Sequence, residues 1–130
     1  MRYALSDLHL GEGLDKDMYK FGEEWKDHSK KIMINWNRVV SDDDYVLVPG
    51  DISWAINLDE AKIHLDFIAN LNGKKILLRG NHDYWWSSVS KLNSLYNSKE
   101  MYFLQNDSFM LDDGKTFICG TRLWKNDSEE

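Results

Sequence analysis

Three short apolar runs punctuate the chain: RYALS at 2 to 6, YVLVP at 45 to 49 and KILLR at 75 to 79. Each closes on glycine or on polar residues, and their length and composition predict strands. Between them apolar positions recur at three and four. In residues 17 to 40, Phe21, Trp25, Ile32, Trp36 and Val39 fall on one helical stripe, with Gly22 moving the secure start of the helix to about Glu23. A second helix opens at Asn57, has Glu60 three residues later as in a capping box, carries Ala61, Leu65 and Ile68 on one face and stops at Asn72-Gly73. A third is predicted from Trp85 to Tyr96 through Val89 and Leu92. The segment from Met101 to Arg122 reads as three strands joined by tight turns at Asn106-Asp107 and Asp113-Gly114.

Strand alternating with helix predicts an α/β fold, a largely parallel sheet flanked by helices, built through right-handed crossovers. At 130 residues the chain is the size of one domain. Its 42% hydrophobic and 13% aromatic content excludes a disordered composition, and no run of about 18 apolar residues is present to span a bilayer. The start MRYALSDLHL lacks the pattern of a secretory signal, so the expected location is cytoplasmic. A net charge of −6 opposes broad attraction to nucleic acid or to anionic membrane. Cys119 is the single cysteine, which removes a disulfide framework, and its FICG context predicts a buried thiol.

The strands share a second pattern, because each runs into polar groups: YALS into Asp7-Leu8-His9, YVLVPG into Asp51, and KILLRG into Asn81-His82-Asp83. In a parallel sheet these ends line one edge, where open α/β sheets hold ligands. If residues 7 to 9 are extended, Asp7 and His9 face the same way and Leu8 turns into the core. Gly50 and Gly80 allow backbone to approach closely. Carboxylate, imidazole and amide oxygen together suit divalent Mn, Fe or Zn. Asp51, with two oxygens, can bridge two ions about 3.5–4 Å apart, with Asp7 and His9 on one ion and Asn81 on the other. His82, oriented by the adjacent Asp83, is then either an acid or electrostatic group at a phosphoryl centre or itself a ligand.

The ordered set D-x-H, G-D and G-N-H-D, each after an apolar strand, resembles the calcineurin-like metallophosphoesterases, and GDISWA and RGNHDYWW are similar to bacterial predicted phosphohydrolases of that family. The resemblance implies the first half of an αββα sandwich over residues 1 to 124, followed by an acidic tail at 125 to 130. It implies a phosphoester hydrolase that uses water activated by two divalent metal ions, with manganese among the candidates. It also implies Asp7, His9, Asp51 and Asn81 as metal ligands, His82 as the catalytic histidine and Asp83 as its partner. Family members carry a further ligand histidine and a G-H-x-H element in a second half. Here the histidines are His9, His28, His64 and His82, and none follows residue 82. The metal set is therefore expected to be incomplete, and an uncovered sheet edge favours self-association. A scaffold without catalysis and a nuclease of the same family are the alternative functions.

Other residues have two readings. His28 and His64 lie at helical spacing as packing or surface histidines rather than ligands. Trp54, Tyr84, Trp85 and Trp86 either wall a cleft or pack helix on sheet. Arg79 and Arg122 either meet phosphate or pair with carboxylates.

Overall fold

The computed structural model describes residues 1 to 16 and 18 to 122. The last two residues of the predicted domain, 123 and 124, and the predicted acidic tail at 125 to 130 lie outside them. Four strands form one parallel sheet in the order β1-β2-β3-β4: β1 Arg2–Ala4, β2 Tyr45–Pro49, β3 Lys74–Leu78 and β4 Met101–Leu104. Arg2 stands beside Tyr45, Tyr45 beside Lys74, and Lys75 beside Met101. The crossovers contain α1 His28–Val39, α2 Leu58–Ala69 and α3 Val89–Tyr96. Strands added in sequence order through right-handed crossovers place every helix on the same face. Accordingly, Trp36, Leu65, Ile68, Leu92 and Tyr96 share one core with Val46, Val48, Leu77 and Phe103.

The opposite face carries the alternate residues of the same strands. Tyr45, Ile76 and Leu104 pack there with Leu111, and Leu47, Leu78, Phe109 and Ile118 lie against them. This second layer is the antiparallel hairpin of β5 Asp107–Met110 and β6 Phe117–Gly120. Because Ile118 turns inward, its neighbour Cys119 turns outward, so the thiol is exposed and the buried thiol expected from its strand context is corrected.

Two helix boundaries also differ from expectation. Asp27 takes a left-handed backbone, φ 53°, so Met18–Phe21 and Glu23–Trp25 are separate 3-10 turns and the regular helix starts only at His28. Of the predicted stripe Trp36 is buried, whereas Phe21 and Val39 are exposed, and Val40 supplies a further buried contact. Helix α3 begins at Val89, capped by Ser88, whose Oγ accepts from the Lys91 amide; Trp85 and Trp86 precede it and are buried. At α2 the expected cap is present, with Asn57 Oδ1 accepting from the Glu60 amide at 2.9 Å.

Carbonyls at the end of α2 and just beyond it converge on a buried ammonium. Lys75 Nζ donates to Leu71 O at 2.6 Å, Gly73 O at 2.7 Å and Ala69 O at 3.2 Å. Burial pushes Lys75 down to about 8, against the carboxylates of Glu100 and Asp42, which act to raise it. A lysine depressed in the folded state binds fewer protons than in the unfolded chain between that value and its ordinary one, so stability rises with pH across this window. In urea unfolding, wild type should gain on the order of 2 kcal/mol relative to Lys75→Met between pH 8 and pH 10. Parallel pH profiles of the two proteins would refute it.

Candidate metal centre

Beyond the end of β1 the first two strands stay zipped as loops. The amides of Asp7, His9 and Leu10 donate to the carbonyls of Gly50, Asp51 and Ile52 at 3.0, 3.0 and 2.9 Å, and the Trp54 amide returns to Leu10 O at 3.0 Å. This ladder carries Asp7, His9 and Asp51 to one place, where one ligand atom from each lies within 4.8 Å of the others. His9 Nε2 stands 3.6 Å from Asp7 Oδ1 and 4.0 Å from Asp51 Oδ2. Leu8, between them, is buried.

The convergence expected for Asp7 and His9 is present, but its cause is different. Neither residue is extended: Asp7, His9 and Asp51 all have left-handed backbones, with φ of 58°, 44° and 51°. For residues with a Cβ this region costs about 1–3 kcal/mol each, and such strain concentrates at functional sites. Close backbone approach is also required. A Cβ on Gly80 would stand 2.2 Å from both the amide nitrogen and Oδ1 of Asp51, and one on Gly50 would stand 2.7 Å from Gly80 Cα.

Asp51 is the hub. It is 9% exposed, Oδ1 accepts from the His82 amide at 3.1 Å, and Oδ2 faces His82 Nδ1 at 3.0 Å. Burial pushes its carboxyl up, but the His82 hydrogen bonds and the nearby His82 and His9 together outweigh that and leave it below the usual carboxylate range. The Asn81 amide lies over the same carboxylate. With nitrogen toward Asp51 it donates to the two oxygens at 3.1 and 3.2 Å. With oxygen toward Asp51 it completes an all-oxygen face that only a cation reconciles.

Asp83 departs from its expected role. Its carboxylate is fully buried and accepts from the amides of Ile52 at 2.8 Å, Ser53 at 3.2 Å and Gly80 at 2.7 Å, and from Trp85 Nε1 at 3.0 Å. The carboxylate on the His82 imidazole is that of Asp51. Asp83 instead ties the loop after β2 to the loop after β3. Burial pushes its carboxyl up, opposed by those N–H donors.

Three supports of the site were not expected from sequence as such. Trp54 stacks on His9, ring centroids 5.1 Å apart at 25°, and meets His82 at 4.9 Å and 49°; its own Nε1 donates to Met18 Sδ at 3.3 Å. His28 Nε2 contacts the carbonyls of Leu8 and His9 at 2.9 and 3.2 Å. His64 is buried, with Nδ1 2.6 Å from Ser53 Oγ and Nε2 2.9 Å from Glu12 O. The set is consistent with Ser53 donating to Nδ1 and Nε2 donating to the carbonyl. Both helical histidines are thus packing residues, as read, but they pack against the loops that bear the candidate ligands. Of the four aromatics, Trp85 and Trp86 belong to the core, while Trp54 and the exposed Tyr84 flank His82.

The donors fit a divalent cation. Ligands about 2.0–2.2 Å from one ion must lie within roughly 4 Å of one another, which the trio approaches, and its mixed carboxylate and imidazole chemistry is that of Mn, Fe or Zn sites.

Comparison with known proteins gives the family and the fold. The family model described as calcineurin-like phosphoesterase matches residues 3 to 127. Gene 66 protein of Mycobacterium phage L5 is 34% identical over 79 residues, 60% of this chain and 37% of that protein. The uncharacterized protein MJ1445 of Methanocaldococcus jannaschii is 28% identical over 105 residues, 80% of this chain and 57% of that protein. The chain therefore spans about half the length of these relatives, or less. The crystal structure of the protein of unknown function AQ665 from Aquifex aeolicus shares the fold, with a TM-score of 0.56 and 24% identity over 88% of this chain and 56% of that one.

Proposed function

The chain belongs to the calcineurin-like phosphoesterase family, and on that premise we propose that it carries the phosphoester-hydrolysing centre of a metal-dependent hydrolase. The observation that supports this most is the meeting of Asp7, His9 and Asp51 on three strained left-handed residues. Packing alone gives no reason to hold two carboxylates and an imidazole in that conformation. Asp7, His9 and Asp51 would hold one divalent ion, and Asp51 with the Asn81 amide oxygen a second. Bound there, the ions supply Lewis-acid polarisation of a phosphoryl oxygen and activation of a water.

The chain's own part is positioning and proton transfer. Asp51 holds His82 through Nδ1, which fixes the imidazole and leaves Nε2 to meet the phosphoryl oxygens or the leaving oxygen. Trp54, against both His9 and His82, keeps the two rings in register. Asp83 acts at one remove, by holding the loop from which Asn81 and His82 project.

The test is hydrolysis of an aryl phosphate monoester and diester by the 130-residue chain with and without Mn. Turnover that requires the metal is expected, falling by about 10²–10⁴ in His82→Ala while Mn still binds. Metal-independent turnover, or an unchanged rate in His82→Ala, would reject the assignment. No turnover despite Mn binding would favour the scaffold reading.

A further inference from the structure

The two loops that carry the candidate ligands part company just beyond the site. Their backbone ladder ends where the Trp54 amide donates to Leu10 O at 3.0 Å, and past that pair no backbone hydrogen bond joins them among the described residues. Side chains take over. Lys16 Nζ donates to Trp54 O at 3.2 Å, and His64 reaches both loops from α2. Its Nδ1 lies 2.6 Å from Ser53 Oγ in the loop after β2, and its Nε2 lies 2.9 Å from Glu12 O in the loop after β1.

Packing alone does not call for an imidazole here. Position 64 lies on the buried face of α2 with Ala61, Leu65 and Ile68 and is 2% exposed, where an apolar side chain would fill space without the cost of desolvating polar nitrogens. Both nitrogens are spent on the loops. The Ser53 hydroxyl accepts from the Ala55 amide at 3.1 Å, which leaves its proton for Nδ1, and Nε2–H then donates to the Glu12 carbonyl. One rigid ring therefore sets the spacing between the two loops. What that spacing protects is the left-handed backbone of Asp7, His9 and Asp51, since such conformations persist only where the surroundings over-determine them. Asp51 stands two residues before Ser53, and His9 three before Glu12.

We propose that His64 is a positioning residue for the candidate metal centre, a clamp from α2 that holds the loops in register so that Asp7, His9 and Asp51 are set for a cation before one binds. Its effect on metal rests on the hydrolase reading; the clamp itself is measured without metal, so either can fail while the other stands.

Amide hydrogen exchange of the full chain in EDTA reads the clamp, and calorimetric titration with Mn reads its consequence. In His64→Leu the amides of His9, Leu10 and Trp54 should exchange about tenfold faster than in wild type relative to those of Ile76 and Leu77 in β3, the worth of about one hydrogen bond, and Mn affinity should fall by a similar factor. His64→Gln, whose amide nitrogen can donate to Glu12 O, should recover part of both. Ile68→Val, a truncation one turn along the same buried face, should lower global stability while leaving the exchange ratio and Mn affinity as in wild type. Ser53→Ala breaks the Nδ1 link from its other end and provides a second variant if His64→Leu does not fold. An unchanged exchange ratio in these variants, equal losses of Mn affinity in Ile68→Val and His64→Leu, or faster exchange with Mn affinity unaltered would each overturn the positioning role. A wild type that binds no Mn would reject the metal centre instead, with the exchange ratios still deciding whether His64 holds the loops.

Discussion

Asp83→Ala should cost the fold about 4 kcal/mol, measured as the loss of unfolding free energy in urea. The substitution strips one acceptor group from four buried donors, the amides of Ile52, Ser53 and Gly80 and the indole of Trp85. Each donor left unsatisfied costs roughly 1–3 kcal/mol, and water entering the vacated space offsets part of the sum. Asp83→Asn should cost less, because it retains a carbonyl oxygen for some of these donors while setting an NH₂ against another. The pH profile adds a second reading of the same group. The carboxyl is raised by burial in the folded state, so its linked stability is fully present below the ordinary carboxyl range and is lost as pH rises through the folded value. Asp83→Asn should remove that component. A loss under about 1 kcal/mol in the alanine variant would mean that these hydrogen bonds do not hold the loops together.

The position of Asp83 marks where sequence reasoning was sound and where it was not. The ends of parallel strands lie along one edge, so Asp7, His9, Asp51 and Asn81 could be grouped from their positions just after apolar strands. Gly50 and Gly80 were legible because a side chain at either would collide with the neighbouring loop: a Cβ on Gly50 would stand 2.7 Å from Gly80 Cα. Pairing His82 with Asp83 relied on adjacency, but in the turn after Gly80 neighbouring side chains diverge, one toward Asp51 and the other inward. The left-handed backbones at Asp7, His9 and Asp51 left no trace in local pattern, since they are imposed by the ladder between two loops some forty residues apart. Likewise His28 and His64 gave the periodicity of packing residues and nothing of what they pack against. A helical stripe reports a buried side, not the loop that fills it. The placement of all three helices on one face, with a hairpin on the other, follows from strand order, which alternation of elements does not specify.

The second large effect is expected at Asp51, tested by calorimetric titration with Mn. Asp7, His9, Asp51 and Asn81 provide fewer protein donors than two ions require, so wild type should bind Mn weakly or as a single ion, with water completing the coordination. Asp51→Asn should lower that affinity at least about 100-fold, or 2.7 kcal/mol, because the carboxylate is the one group placed against His9, Asn81 and His82 at once. The fold should survive, since asparagine keeps an oxygen for the His82 amide and Gly80 still fits against residue 51. Asp7→Asn offers the contrast. Its carboxylate is exposed and, among the described residues, meets His9 alone besides the Ser6 hydroxyl, so its loss should weaken Mn less. Equal losses at residues 7 and 51 would point to one ion held symmetrically by the trio. A larger loss at residue 51 is what a shared ligand demands. An Asp51→Asn protein that binds Mn within threefold of wild type would remove Asp51 from the centre, and with it the physical reason for holding His82 where it stands.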